Sequence, residues 1–181
     1  MTSSAHEMAV AMLSIQDVFL VEARHTVVRD HNPQETLESV SFQLRHHIDP
    51  EVMLQRRGDG HGNETQVLRC FVNTGFRALR ADASEKNIAE HMLAEIECVF
   101  AADYLVKSEE APSSEIVSAF GENIVFHVWP YWREYVQSTL ARSRLPSIAL
   151  PMFRVRQKPA SSESKSPMSP MSLEAPQAQR T

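Results

Sequence analysis

Hydrophobic and polar positions along this chain alternate at period two over most of the first hundred residues and switch to a helical period near residue 114. Ser4 and Glu7 have the spacing of a capping box, and Met8, Met12 and Leu13 follow at helical intervals, which predicts a short N-terminal helix. From Ile15 to Val28 the β-branched and aromatic run Val18-Phe19-Leu20-Val21, with Thr26-Val27-Val28, predicts a long strand buried in part on both faces and central in its sheet. His31-Asn32-Pro33-Gln34-Glu35 is a polar, proline-containing break, long enough for the chain to cross to another part of a sheet. Val40, Phe42, Leu44, His46 and Ile48 alternate with Ser41, Gln43, Arg45 and His47 in a second strand. The glycines of the 58–63 turn lead to a third strand, with Leu68, Cys70, Val72, Phe76 and Ala78 on one face and Arg69, Asn73 and Arg77 on the other. A fourth strand over about Ala89 to Leu105 sets Met92, Ala94, Ile96, Cys98, Phe100, Ala102 and Tyr104 against Glu95, Glu97 and Asp103.

After the polar 107–114 linker, a short helix capped by Ser114 and ended by Gly121 precedes a long helix that runs to about Arg144 and stops at Pro146. Pro130 either kinks that helix or lies in its first turn, with Asn123 as a candidate cap. Beyond Phe153 the chain turns to Ser, Pro, Lys, Gln and Ala, too poor in large apolar groups to offset the entropy of ordering. The expected organisation is a helical arm (1–14), one domain (15–153) and a disordered tail (154–181). The fold class is α+β: a four-stranded antiparallel sheet with one face covered by the short and the long helix. Such a sheet leaves edges and a face open, which leads us to expect self-association.

The net charge of −5 and the pI of about 5.9 provide no basic excess for nucleic acid or anionic lipid. Without an apolar run of bilayer length or an N-terminal h-region, the expected location is the cytoplasm. Cys70 and Cys98 sit in apolar alternations and are expected to be reduced and buried. The eight histidines show no ligand spacing with a cysteine or carboxylate, so no metal is expected. Glycine-rich phosphate loops and nucleophile elbows are missing from the sequence, and neither cysteine has a base beside it, so neither an enzyme nor a cofactor is expected. Arg57-Gly58-Asp59 reads as turn chemistry, and Glu109-Glu110 with Glu115 and Glu122 as a local acidic cluster.

The aromatic density of the long helix is the exception to this plain picture. Trp129, Tyr131, Trp132 and Tyr135 cannot all face one way on a helix, so some aromatic surface must point away from the sheet. That surplus suits a peptide-binding or oligomerising surface, or a closed interface or small-molecule pocket. Arg133 and Glu134 are adjacent and cannot pair along the helix, which directs them across an interface.

Ile124-Val125-Phe126, Pro130-Tyr131-x-Arg133-Glu134 and Leu145-Pro146-x-Ile148-x-Leu150 together resemble the long helix and exit of the SecB export-chaperone family, and the order of four strands before them fits. The resemblance spans roughly Ser14 to Phe153 and is closest to the divergent SecB-like chaperones that include toxin-antitoxin-associated members. It implies a homotetrameric, ATP-independent holdase, a dimer of dimers, that binds unfolded polypeptides, whether preproteins or an antitoxin, in hydrophobic grooves. Groove positions carried over are Val40, Phe42 and Leu44 with Tyr131, Trp132 and Tyr135. Interface positions are Val18 and Leu20 of the first strand with Arg133 and Glu134. The SecA translocase ATPase enters as a family partner, although the Ser/Pro tail differs from the SecA-binding C-terminus of the export chaperone.

Overall fold

The computed structural model describes residues 4–32, 34, 40–58, 64–80 and 87–153. Within them the elements are α1 (Ala5–Met12), β1 (Leu13–Val27), β2 (Val40–Gly58), β3 (Glu64–Arg80), α2 (Ile88–His91), β4 (Met92–Val106), α3 (Ser114–Ala119) and α4 (Gly121–Arg142). The four strands form one antiparallel sheet in the order β1-β4-β3-β2. The expected crossover after β1 is therefore real, since β1 and β2 lie at opposite edges. The 154–181 tail, the 59–63 turn and most of the 33–39 connection fall outside the described residues.

The capping box of α1 is formed as its spacing predicts. Ser4 Oγ accepts from Glu7 N at 3.3 Å, and Ser4 N donates to Glu7 Oε2 at 2.9 Å. Other expectations need correction. β1 is an edge strand, not a central one, and most of its residues are exposed, because β4 returns to pair with its inner side and the crossover takes β2 away to the far edge. Register shifts between Ile15 and Asp17 and between Leu20 and Glu22 bend this edge, a common device against uncontrolled pairing. The fourth strand starts later than its pattern implied, because Ile88–His91 forms a helical turn first. Ser113, not Ser114, caps α3, accepting from Ile116 N at 3.4 Å, and Gly121 opens α4 instead of ending α3.

One side of the sheet packs under α4. Cys70, Val72, Phe76 and Ala78 of β3 and Ala94, Ile96, Cys98, Phe100, Ala102 and Tyr104 of β4 are buried there. Ile124, Val125, Val128, Trp129, Trp132, Val136 and Leu140 descend onto them from α4 at helical spacing. Pro130 lies well inside α4, on the solvent side, where the carbonyl it leaves without an amide partner can be hydrated.

The opposite side of the sheet is organised by charge. Arg69 donates to Asp103 through Nε (2.7 Å) and Nη2 (2.9 Å), with the ring of Phe19 4.9 Å from the guanidinium carbon. Asp103 is 1% exposed, so this two-pronged bond is what keeps its charge tolerable in the sheet. Arg77 and Glu95 form a second cross-strand pair at 2.6 Å.

Candidate functional site

The site is set by where α4 ends and what the chain does next. Arg144 takes a left-handed conformation (φ 55°). Its amide bonds the carbonyl of Ala141 (3.2 Å), and that of Leu145 bonds the carbonyl of Leu140 (3.1 Å). This is a Schellman motif, and the buried Leu140 and Leu145 make the apolar pair that accompanies it. The carbonyl of Arg144 also meets the His31 Nε2 at 3.4 Å, and Ser143 Oγ meets His25 Nε2 at 3.2 Å, tying the turn to the β1 end.

Reversed in this way, residues 145–153 run back along α4 as an extended strap. Leu150 is buried, while Ile148 and Phe153 are half-buried against the core. The indole Nε1 of Trp129 donates to the carbonyl oxygen of Pro151 at 2.8 Å, and Phe153 meets the Trp129 ring at 5.4 Å. Trp129 in turn lies 4.6 Å from Trp132, centroid to centroid. Arg133 Nη1 donates to the Met152 sulfur at 2.7 Å. Among the described residues, Trp132 Nε1 and Arg133 Nε are buried without any hydrogen-bond partner. A buried donor in that condition costs about 1–3 kcal/mol. The end of the helix near Arg144 is legible in the sequence, but the fold-back of the exit is not, because a strap without a ladder leaves no periodic signature.

The aromatic residues of α4 divide as expected. Tyr131 (50% exposed) and Phe126 (46%) point outward beside Pro130. Tyr135 is half-buried. Trp132 is 0% exposed, so its ring is spent on the protein's own core and does not lie open to a partner. Val40, Phe42 and Leu44 belong to edge strand β2, in register with Arg80, Ala78 and Phe76; their side chains are outside the described residues. Of the interface positions, Val18 is buried in its own core and Leu20 is 39% exposed on edge β1. Arg133 lies partly under the strap and Glu134 faces solvent.

Further apolar surface is open at both ends of the sheet. Ile15 and Val21 accompany Leu20 on β1, and Met53 and Leu54 lie on β2. Leu54 is in register with the core residue Leu68, yet α4 does not shield it. Near the start of α4, Tyr104 and His127 share a 3.0 Å hydrogen bond, and Phe120 packs edge-on against Tyr104. Burial lowers the pKa of His127 and raises that of Tyr104, so both are held neutral. The Cys70 and Cys98 thiols are pushed up to about 12 by burial and are free. Among the described residues no cluster of three metal-ligating side chains occurs, and no helix is long and apolar enough to cross a membrane.

The backbone arrangement decides the fold type. A search of solved structures matches the SecB-like chaperone of Mycobacterium tuberculosis, in complex with a ChAD peptide from the HigA1 antitoxin, with a TM-score of 0.61 over 84% of this chain and 99% of that one. The fold is SecB-like. Identity between the two chains is 20%, and no protein-family model and no curated protein matches the sequence. The SecB-like fold is thus carried by strand order, crossover and the long C-terminal helix, with few side chains held in common.

Proposed function

We propose that the protein is an ATP-independent holdase that binds non-native polypeptide. The observation that carries this reading is a SecB-like sheet with two unpaired edges among the described residues and open apolar side chains on both edge strands, together with separate outward aromatic residues on α4. A client with exposed apolar segments buries them at about 25 cal/mol per Å2, and its unpaired backbone groups can add to a sheet edge. No bond is made or broken, so the chemistry needs no nucleophile, metal or nucleotide.

In this reading the groove runs between β2 and α4. The proposed groove positions are 40, 42 and 44 on the strand and Tyr131 and Tyr135 on the helix. The structural neighbour is solved with an antitoxin peptide, which favours an antitoxin-like segment as the client over a preprotein destined for SecA. Oligomerisation as a homotetramer would use Leu20 and Glu134, the two interface positions that remain accessible, and would bring several grooves to one chain. Linked weak sites then hold that chain more tightly than any one of them. The cytoplasm, where antitoxins are made, is the compartment this function requires.

The test is to dilute a denatured, slow-folding protein into buffer with and without the purified chain. Suppressed light scattering without ATP, with the client co-eluting in a complex larger than four copies of the 20.5 kDa chain, is the expected result. Unchanged scattering and separate elution would reject the reading.

A further inference from the structure

We infer that the trough formed by Trp129 and Arg133 is itself a binding site for one extended apolar polypeptide segment, and that residues 145–153 are its resident occupant, displaced when a client enters. The inference rests on the holdase reading and adds to it a second, covered subsite.

Three observations support it. First, the strap is held as a bound peptide is held. Among the described residues the hydrogen bonds fixing 146–152 come from two side chains, Trp129 Nε1 to Pro151 and Arg133 Nη1 to Met152, with no backbone ladder. Second, the bond from Trp129 reads a main-chain carbonyl, a group that every polypeptide carries, while Phe153 supplies the ring that packs on the indole. Third, the strap satisfies this trough incompletely. Arg133 Nε stays buried without an acceptor while Nη1 of the same side chain meets Met152 of the strap, and Arg133 has no carboxylate partner among the described residues. A segment seated with a carbonyl toward this donor would supply what the strap does not. The trough thus selects an extended stretch with apolar side chains and free carbonyl groups, the chemistry of an unfolded chain.

Displacement lowers apparent affinity by the fraction of time the trough is open. Weakening the strap must therefore tighten client binding, which is the opposite of what loss of a contact residue does.

The chain contains two tryptophans, Trp129 against the strap and Trp132 in ring contact with Trp129, so its intrinsic emission reports this place and no other. Full-length protein is titrated with a tryptophan-free polypeptide kept unfolded by reduction and carboxymethylation. The inference predicts that the emission of the wild-type protein changes on binding. It also predicts that Phe153→Ser binds the polypeptide about threefold or more tightly than wild type. Emission is read on wild-type protein, so the result stands even if the variant folds poorly. Binding with unchanged emission and equal affinity in Phe153→Ser would overturn the subsite and leave the holdase reading intact, with clients bound elsewhere. No binding by either protein would overturn both.

Discussion

Tyr131 and Trp132 are neighbours in the chain and opposites in the fold: one is half exposed on the outer face of α4, the other is wholly enclosed between the helix and the sheet. A rotation of 100° per residue, together with the width of the sheet beneath, accounts for the difference. Their substitutions should therefore report on different things.

Trp132→Ala removes a large enclosed ring and should cost about 3–5 kcal/mol of stability, seen as an earlier denaturant midpoint. Tyr131→Ala should shift that midpoint by less than about 0.5 kcal/mol and weaken client binding instead. Equal loss of stability in the two variants would contradict the packing described for α4.

The turn that starts the strap provides a second check. Arg144 holds a positive φ, a conformation that costs a residue with a Cβ about 1–2 kcal/mol. Arg144→Gly should keep or raise the melting temperature, while Arg144→Val should lower it by an amount equivalent to about 1 kcal/mol or more. Thermal unfolding followed by circular dichroism separates the two.

Acid should destabilise the protein through His127. Its folded pKa is depressed below 6.5 by burial, so the unfolded chain takes up a proton at a higher pH than the folded one does. The stability this contributes is fully present above about pH 6.5 and is lost as pH falls through the unfolded value toward the folded one. Denaturant midpoints measured from pH 8 to 5 should fall on the acid side, and His127→Asn should flatten that fall. An unchanged acid slope in the variant would remove His127 from the account.

Cys70 and Cys98 should be silent in the native protein. Both are buried, with thiols pushed up to about 12, and the thiolate is the reactive form. A thiol reagent at pH 8 should label neither residue before unfolding and both after it. Rapid labelling of the folded state would contradict the closed core under α4.

Much of this fold was legible in the sequence because its strands obey period two. The buried faces of β3 and β4 are the residues that alternation selects, from Leu68 to Ala78 and from Ala94 to Tyr104. The capping box at Ser4 and Glu7 is a short-range chemical signal and held for the same reason. β1 misled because a run such as Val18-Phe19-Leu20-Val21 looks the same whether it is buried by its own sheet or left at an edge. Position in the sheet depends on where later strands return, which local composition does not encode. The aromatic surplus of α4 was legible as a count but not in its assignment: Trp132 is taken by the core, and Tyr131 is the ring that remains outside. The strap was hidden altogether, since its fixing points, Trp129 and Pro151, are 22 residues apart and joined through one side chain.

The proposed activity is that this chain, SecB-like in fold, holds unfolded polypeptide without catalysis. Its most direct test is the light scattering of a denatured client diluted into buffer with increasing amounts of the full-length protein and no nucleotide. The account predicts that scattering falls in proportion to added protein until the client is saturated and that added ATP changes nothing. Scattering that stays at the level of client alone across the titration, with the client absent from the protein's elution peak, would contradict it.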